Sequence, residues 1–280
     1  MQLCKVQLAG GAVRAGVVEA GQVRFLGVSL SEVLHAADPI AVAEAALGKE
    51  TRPLTELLLL APVDRQEIWA AGVTYKRSRE ARERESVGAA QFYDKVYGAQ
   101  RPELFLKATP ERVVGPGHAV HVRRDSKWSV PEPELTLVVS PGLRIVGYTI
   151  GNDMSARDIE GDNPLYLPQA KIYDNSCSVG PVITLAGAMP PREQIDIRLS
   201  IERKGAKVFE GATSVAAMAR PLEDLVSWLG RETSFPHGAM LLTGTGIVPP
   251  DDFTLAAGDL VHIDISGVGR LSNPVSPRAH

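Results

Sequence analysis

Apolar and polar positions alternate in short runs over residues 3–27, LCKVQL, VRAGVVE and QVRFLG, with glycines between them. That period of two, broken by turn formers, predicts a small meander of hairpins. The pattern then changes to helical spacing in SLSEVLHAAD and IAVAEAALGKE, with Ser29 or Ser31 as the N-cap. LTELLLLAPVD returns to strand and ends at Pro62, which places a boundary near residues 61–64. Beyond it, IWAAGVTY reads as a strand entering a charged helix, KRSREARERES, and ELFLKAT as another strand. From 135 to 270 the runs are short and β-branched: TLVVSPGLRIVGYTIGND, SVGPVITLAG, DIRLSIERKG, MLLTGTGIV and DLVHIDISGVG. One amphipathic helix, PLEDLVSWLGRETS, interrupts them. The prediction is an α+β chain that is mostly β. A small N-terminal α/β domain spans 1–63, and a larger β-roll or barrel spans 64–280.

Composition narrows the classes. A formal net charge of -3 argues against non-specific nucleic-acid binding, which wants a basic surface. The longest apolar stretch, LLLLAPV, is too short to span a bilayer. Cys4 and Cys177 form no CxxC pair, as suits a reducing compartment, and MQLCKVQLAGG lacks the features of a secretory leader. The expectation is a soluble cytoplasmic protein with no nucleic-acid or membrane partner. There is no GxxxxGK[ST], no GxGxxG after a strand, no GxSxG elbow, and His118 and His121 have no cysteine or HExxH context. Nucleotide cofactors, serine hydrolysis and a zinc site therefore lack support.

The chemistry concentrates at VPEPELTLVVS, residues 130–140. In a strand, Glu132, Glu134 and Thr136 share one face, while Leu135, Leu137 and Val139 take the core face. Pro131 and Pro133 lack N–H groups, which predicts an edge or a distorted entry. Ser140-Pro141-Gly142-Leu143 reads as a tight two-residue turn, so that Glu134 faces Thr149 and Glu132 faces Gly151. Asp153 then falls on the glutamate face, one diagonal step from Glu132. Three converging carboxylates repel unless a cation compensates them, and an all-oxygen set suits Mg²⁺, Mn²⁺ or Ca²⁺. The plainer alternative is a pair of glutamates on an exposed edge with Asp153 capping a turn.

The order ExE, then GYTxxNDxSARD, a lone lysine (Lys171), GP and a later Thr243-Gly244-Thr245 resembles the fumarylacetoacetate hydrolase superfamily over roughly residues 65–275. The resemblance implies a mixed β-roll, a homodimer or higher homo-oligomer, and a divalent metal on Glu132, Glu134 and Asp153. It also implies a 2-oxo acid substrate, whose carboxylate and keto oxygen one cation can hold together while its Lewis acidity favours an enolate at C3. Hydrolases and decarboxylases of the superfamily carry a GxNYxxHxxE-like segment whose His and Glu activate water. In GVTYKRSREAR those two positions hold Ser78 and Ala81. This segment and RPELFLK resemble instead the sugar-acid dehydratase branch, which implies loss of water from a 2-keto-3-deoxy pentonate. Glu103 and Lys171 are the candidates for acid–base work. Ser78, Arg157 and Thr245 are candidates for holding the substrate, although Arg157 could instead lock its own loop through Asp158 or Asp162. A C–C hydrolase of the acylpyruvate or fumarylacetoacetate type, and a non-catalytic oxo-acid-binding protein, are the competing readings.

Overall fold

The computed structural model describes residues 1–85 and 95–278. Among the described residues the main sheet has twelve strands, ten of which run across it in the order Leu47–Pro53, Gln22–Leu26, Val13–Glu19, Gln2–Gln7, Cys177–Leu185, Ile145–Asp153, Pro133–Val139, Ala239–Leu242, Glu67–Gly72 and Glu103–Ala108. Most pairs are antiparallel; Ala239–Leu242 and Glu67–Gly72 run parallel, so the sheet is mixed. A second sheet orders Ala206–Ser214, Asp196–Arg203, Leu260–Ile265, Gly269–Pro277 and Val120–Val122. The predicted N-terminal meander forms, and Ser29 rather than Ser31 caps the helix Leu30–His35, in a capping box with Glu32. Helix Lys76–Glu85 forms where KRSREARERES predicts it; Ser86 lies outside the described residues.

The main sheet is covered on both faces. Leu135, Leu137, Val139 and Ile150 pack with Leu199, Ile201, Val261 and Ile263 of the second sheet and with Leu225 and Leu229 of the helix Leu222–Leu229. On the other face, Leu3, Val17, Val138, Ile183 and Met240 pack with Leu30, Val33 and Leu34 of the N-terminal helix. Residues 1–63 therefore extend the sheet that carries the later strands, through the pairs Gln2↔Thr184 and Leu3↔Ile183.

Two expectations for the glutamate strand are corrected. It is not an edge. Pro133–Val139 is buried along its whole length between Ile145–Asp153 and Ala239–Leu242. The prolines are tolerated because the second partner pairs only with Thr136–Val139, leaving no ladder bond for Pro133 to donate there. The register also differs, for Glu134 pairs with Gly151 and Thr136 with Thr149. The turn is one residue longer than expected, with Leu143 at φ 58 and Ser140 N–H bonded to the Arg144 carbonyl at 2.9 Å. A bulge between Val138 and Val139 adds a second residue. Two one-residue shifts leave every side chain on its predicted face, since the period is two. They also carry Asp153 directly opposite Glu132, where its N–H donates to the Glu132 carbonyl at 3.0 Å.

Candidate active site

Glu132 and Glu134 enter from one strand and Asp153 from the end of its neighbour, and all three are buried. Their carboxylate oxygens lie within 4.8 Å of one another. A Gly-rich segment completes the wall: the Gly244 N–H donates to Glu134 Oε2 at 2.5 Å. Gly244 has φ +90, and a side chain there would collide with Thr74, whose hydroxyl donates to the Thr243 carbonyl at 2.6 Å.

Cations surround the carboxylates. Lys171, at the end of the short helix Leu167–Lys171, places Nζ 2.6 Å from Glu132 Oε2 and 3.2 Å from Asp153 Oδ2. Arg157 Nη1 lies 3.0 Å from Glu132 Oε1 and 3.7 Å from Glu160 Oε2. Asp158 is taken elsewhere, by the Ser126 hydroxyl at 2.6 Å and the Lys127 N–H at 2.7 Å. The contacts of Arg157 thus include Glu132 and Glu160. Asp174 pairs with Arg278 at 2.9 Å.

One cavity joins these groups. Glu132, Glu134, Asp153, Lys171, Glu103, Ser78, Thr245 and Glu160 all line it. Ser78 is buried there and does not face solvent. Thr245 keeps its hydroxyl in a local turn, 3.2 Å from both the carbonyl and the N–H of Ile247. Glu103 is half-buried opposite Gly72, and its carboxylate occupies the space that a side chain at 72 would fill. Seven of the eight site residues singled out in the sequence therefore line this cavity, and the eighth, Arg157, reaches it through Glu132 and Glu160.

Two further residues belong to the cluster. Glu160 is held by the Ser155 hydroxyl at 2.9 Å. Lys107 is fully buried with Nζ 2.6 Å from Asp153 Oδ1. The available signal for Lys107 was a lysine inside the apolar strand ELFLKA, four residues after Glu103.

The electrostatics fit a cation. Burial holds the Glu134 carboxyl well above the usual carboxylate range, and the charges of Asp153 and Glu132 push it further; the Gly244 N–H and Lys171 act against them. A divalent ion among the three would favour the ionised form instead. The donors are all carboxylate oxygens, which suits a hard cation such as Mg²⁺. Cys177, paired across from Asp153, is fully buried and its thiol is pushed up to about 12, which keeps it neutral and unreactive.

A mixed sheet presenting an all-oxygen pocket beside a lysine and a separate glutamate defines the class. Residues 67–276 match the model of the fumarylacetoacetate (FAA) hydrolase C-terminal family, and the chain belongs to that family. A probable 2-keto-3-deoxyxylonate dehydratase of Haloferax volcanii is 51% identical over 215 residues, 77% of this chain and 74% of that protein. The 2-dehydro-3-deoxy-D-arabinonate dehydratase of Saccharolobus solfataricus is 44% identical over 228 residues, 80% of this chain and 76% of that one. A solved structure of 2-keto-3-deoxy-D-arabinonate dehydratase complexed with magnesium and 2,5-dioxopentanoate superposes with a TM-score of 0.87 at 35% identity, covering 100% of both chains.

Proposed function

We propose that the chain is a metal-dependent lyase that removes water from a 2-keto-3-deoxy pentonate, of the arabinonate or xylonate type, to give 2,5-dioxopentanoate. The observation that carries this reading is one cavity holding three buried carboxylates, Lys171 and a separate Glu103, with Ser78 where the water-activating histidine of the hydrolases would stand. That absence of a histidine disfavours the C–C hydrolase, and the acid–base pair beside the carboxylates disfavours a purely binding role.

Glu132, Glu134 and Asp153 would hold Mg²⁺, which supplies Lewis acidity at the 2-keto oxygen. Lys171, held between two carboxylates, presents an ammonium where negative charge develops on C2 oxygen. Glu103 takes the proton from C3 and returns it to the departing C4 hydroxyl. The C3–H and C4–O bonds break, a C3–C4 double bond forms and water leaves; a proton then moves from C5 to C3, which shifts the double bond to C4–C5, and the enol so formed takes a proton at C4 as its hydroxyl loses one, giving the aldehyde. Ser78, Arg157 and Thr245 are assigned to the substrate's hydroxyls and carboxylate.

The same reading makes residues 64–280 the catalytic unit and 1–63 a smaller N-terminal domain, in a cytoplasmic homodimer or larger homo-oligomer. Among the described residues no helix is long and apolar enough to cross a membrane. The experiment is to incubate the protein with 2-keto-3-deoxy-D-arabinonate and Mg²⁺ and to follow 2,5-dioxopentanoate by NMR. Appearance of this aldehyde product supports the reading; no product, with cleavage of acylpyruvates instead, would sink it.

A further inference from the structure

The reaction as assigned leaves Lys107 without a part, although it is fully buried beside Asp153. Burying an ammonium is costly unless acceptors surround it. An ammonium has three protons, and three oxygens surround this one. Asp153 Oδ1 lies at 2.6 Å, an ion pair whose angle falls short of a hydrogen bond. The carbonyls of Met154 and Lys171 accept hydrogen bonds at 2.8 and 2.5 Å. With two protons donated to carbonyls and its charge set against Asp153, Lys107 is engaged by the protein itself.

What it does is join parts. One contact pins Asp153 from the side away from Lys171, whose Nζ meets the other carboxylate oxygen. Another holds the backbone at Lys171 itself, where the helix Leu167–Lys171 ends. Its own strand carries Glu103. The strand is built for this, because Ile68 pairs with Ala108 and Trp69 with Leu106, so a bulge drops Lys107 out of the ladder. Bulges beside active sites re-aim a side chain in this way.

We propose that Lys107 is a positioning residue that fixes the Asp153 carboxylate, the end of the Lys171 helix and the Glu103 strand relative to one another. The inference rests on reading Asp153 as a cation ligand. A role limited to charge makes the opposite prediction. Removing a positive charge from beside Asp153 would draw a divalent cation in more tightly, whereas losing the position of a ligand loosens it.

The test is Mn²⁺ binding to the full metal-free chain, measured by electron paramagnetic resonance, for wild type, Lys107→Met and Lys107→Gln. Lys107→Met is expected to bind about 10–100-fold more weakly, the usual effect of losing a partner of a metal ligand. Lys107→Gln keeps two N–H donors for the carbonyls and falls between. At saturating Mg²⁺ the kcat of Lys107→Met stays about ten-fold or more below wild type, because added metal does not re-seat Lys171. Unchanged or tighter Mn²⁺ binding in the variants overturns the proposal, and if Lys107→Met fails to fold, Lys107→Gln decides by the same sign. A wild type that binds no Mn²⁺ would instead overturn the ligand assignment, and this inference with it.

Discussion

Gly72 has no side chain because the Glu103 carboxylate lies where one would be. The obstacle is the far end of a flexible side chain, so Gly72→Ala should displace Glu103 at little cost to the fold. We expect kcat to fall by roughly 100-fold, as a misplacement of about 1 Å commonly does, with stability to urea changed by less than about 1 kcal/mol. An unchanged kcat would remove Glu103 from the chemistry. The carboxylates behave differently. Glu132→Ala or Asp153→Ala should abolish Mg²⁺ binding by calorimetry together with turnover, because each removes one of three converging donors. Either variant also takes one ion-pair partner from two buried cations, Lys171 and Arg157 for Glu132 and Lys171 and Lys107 for Asp153, so a loss of stability in the metal-free protein, up to about 3–5 kcal/mol, should accompany it. Retained Mg²⁺ affinity would mean that these carboxylates do not form the cation pocket.

At the scale of elements, the carboxylate strand needs both its hairpin partner and the Thr243-Gly244-Thr245 segment that closes over Glu134. Gly244→Ala puts a Cβ against Thr74 at a backbone φ of +90, which L side chains rarely adopt. We expect a destabilisation of about 1–3 kcal/mol in urea unfolding and weaker Mg²⁺ binding, because the N–H on Glu134 shifts with the backbone. Weakened stability with unaltered metal affinity would show that the Gly244 bond to Glu134 does not shape the pocket. The hairpin also explains how much of the site was legible. Which face each carboxylate takes follows from the period of two, and that was readable. The pairing depended on a turn length and a bulge that alternation does not encode, and two errors of one residue each cancelled in face while moving Asp153 opposite Glu132. Lys107 stayed hidden for the same reason. A bulge sets its direction, and two of its three partners are backbone carbonyls that carry no sequence signature. That the glutamate strand is internal to the sheet was also unreadable, since its second neighbour, Ala239–Leu242, lies some hundred residues away along the chain.

At the scale of the whole molecule, Asp64 ties the first 63 residues to the rest. Its carboxylate accepts from Lys5 Nζ at 2.7 Å, in the first strand, and from the Ser31 N–H at 3.0 Å and hydroxyl at 2.8 Å, in the first helix. Lys5 also donates to the neighbouring Val63 carbonyl at 2.5 Å. Burial alone would raise the Asp64 carboxyl, but the bonds from Lys5 and Ser31 outweigh it and hold it below its ordinary value of 3.8. A carboxyl depressed by folding contributes stability that is complete above its unfolded value and is lost as the pH falls through the folded one. Asp64→Asn, which cannot ionise, should therefore melt below wild type at pH 7, and the two melting curves should converge as the pH drops below about 4. The loss is local to the junction, so amide hydrogen exchange at pH 7 should quicken over residues 1–63 in the variant before it quickens around the cation pocket. Parallel acid limbs in the two proteins would show that Asp64 does not carry this link, and uniform exchange would show that the N-terminal residues and the later strands of the sheet open as a single unit.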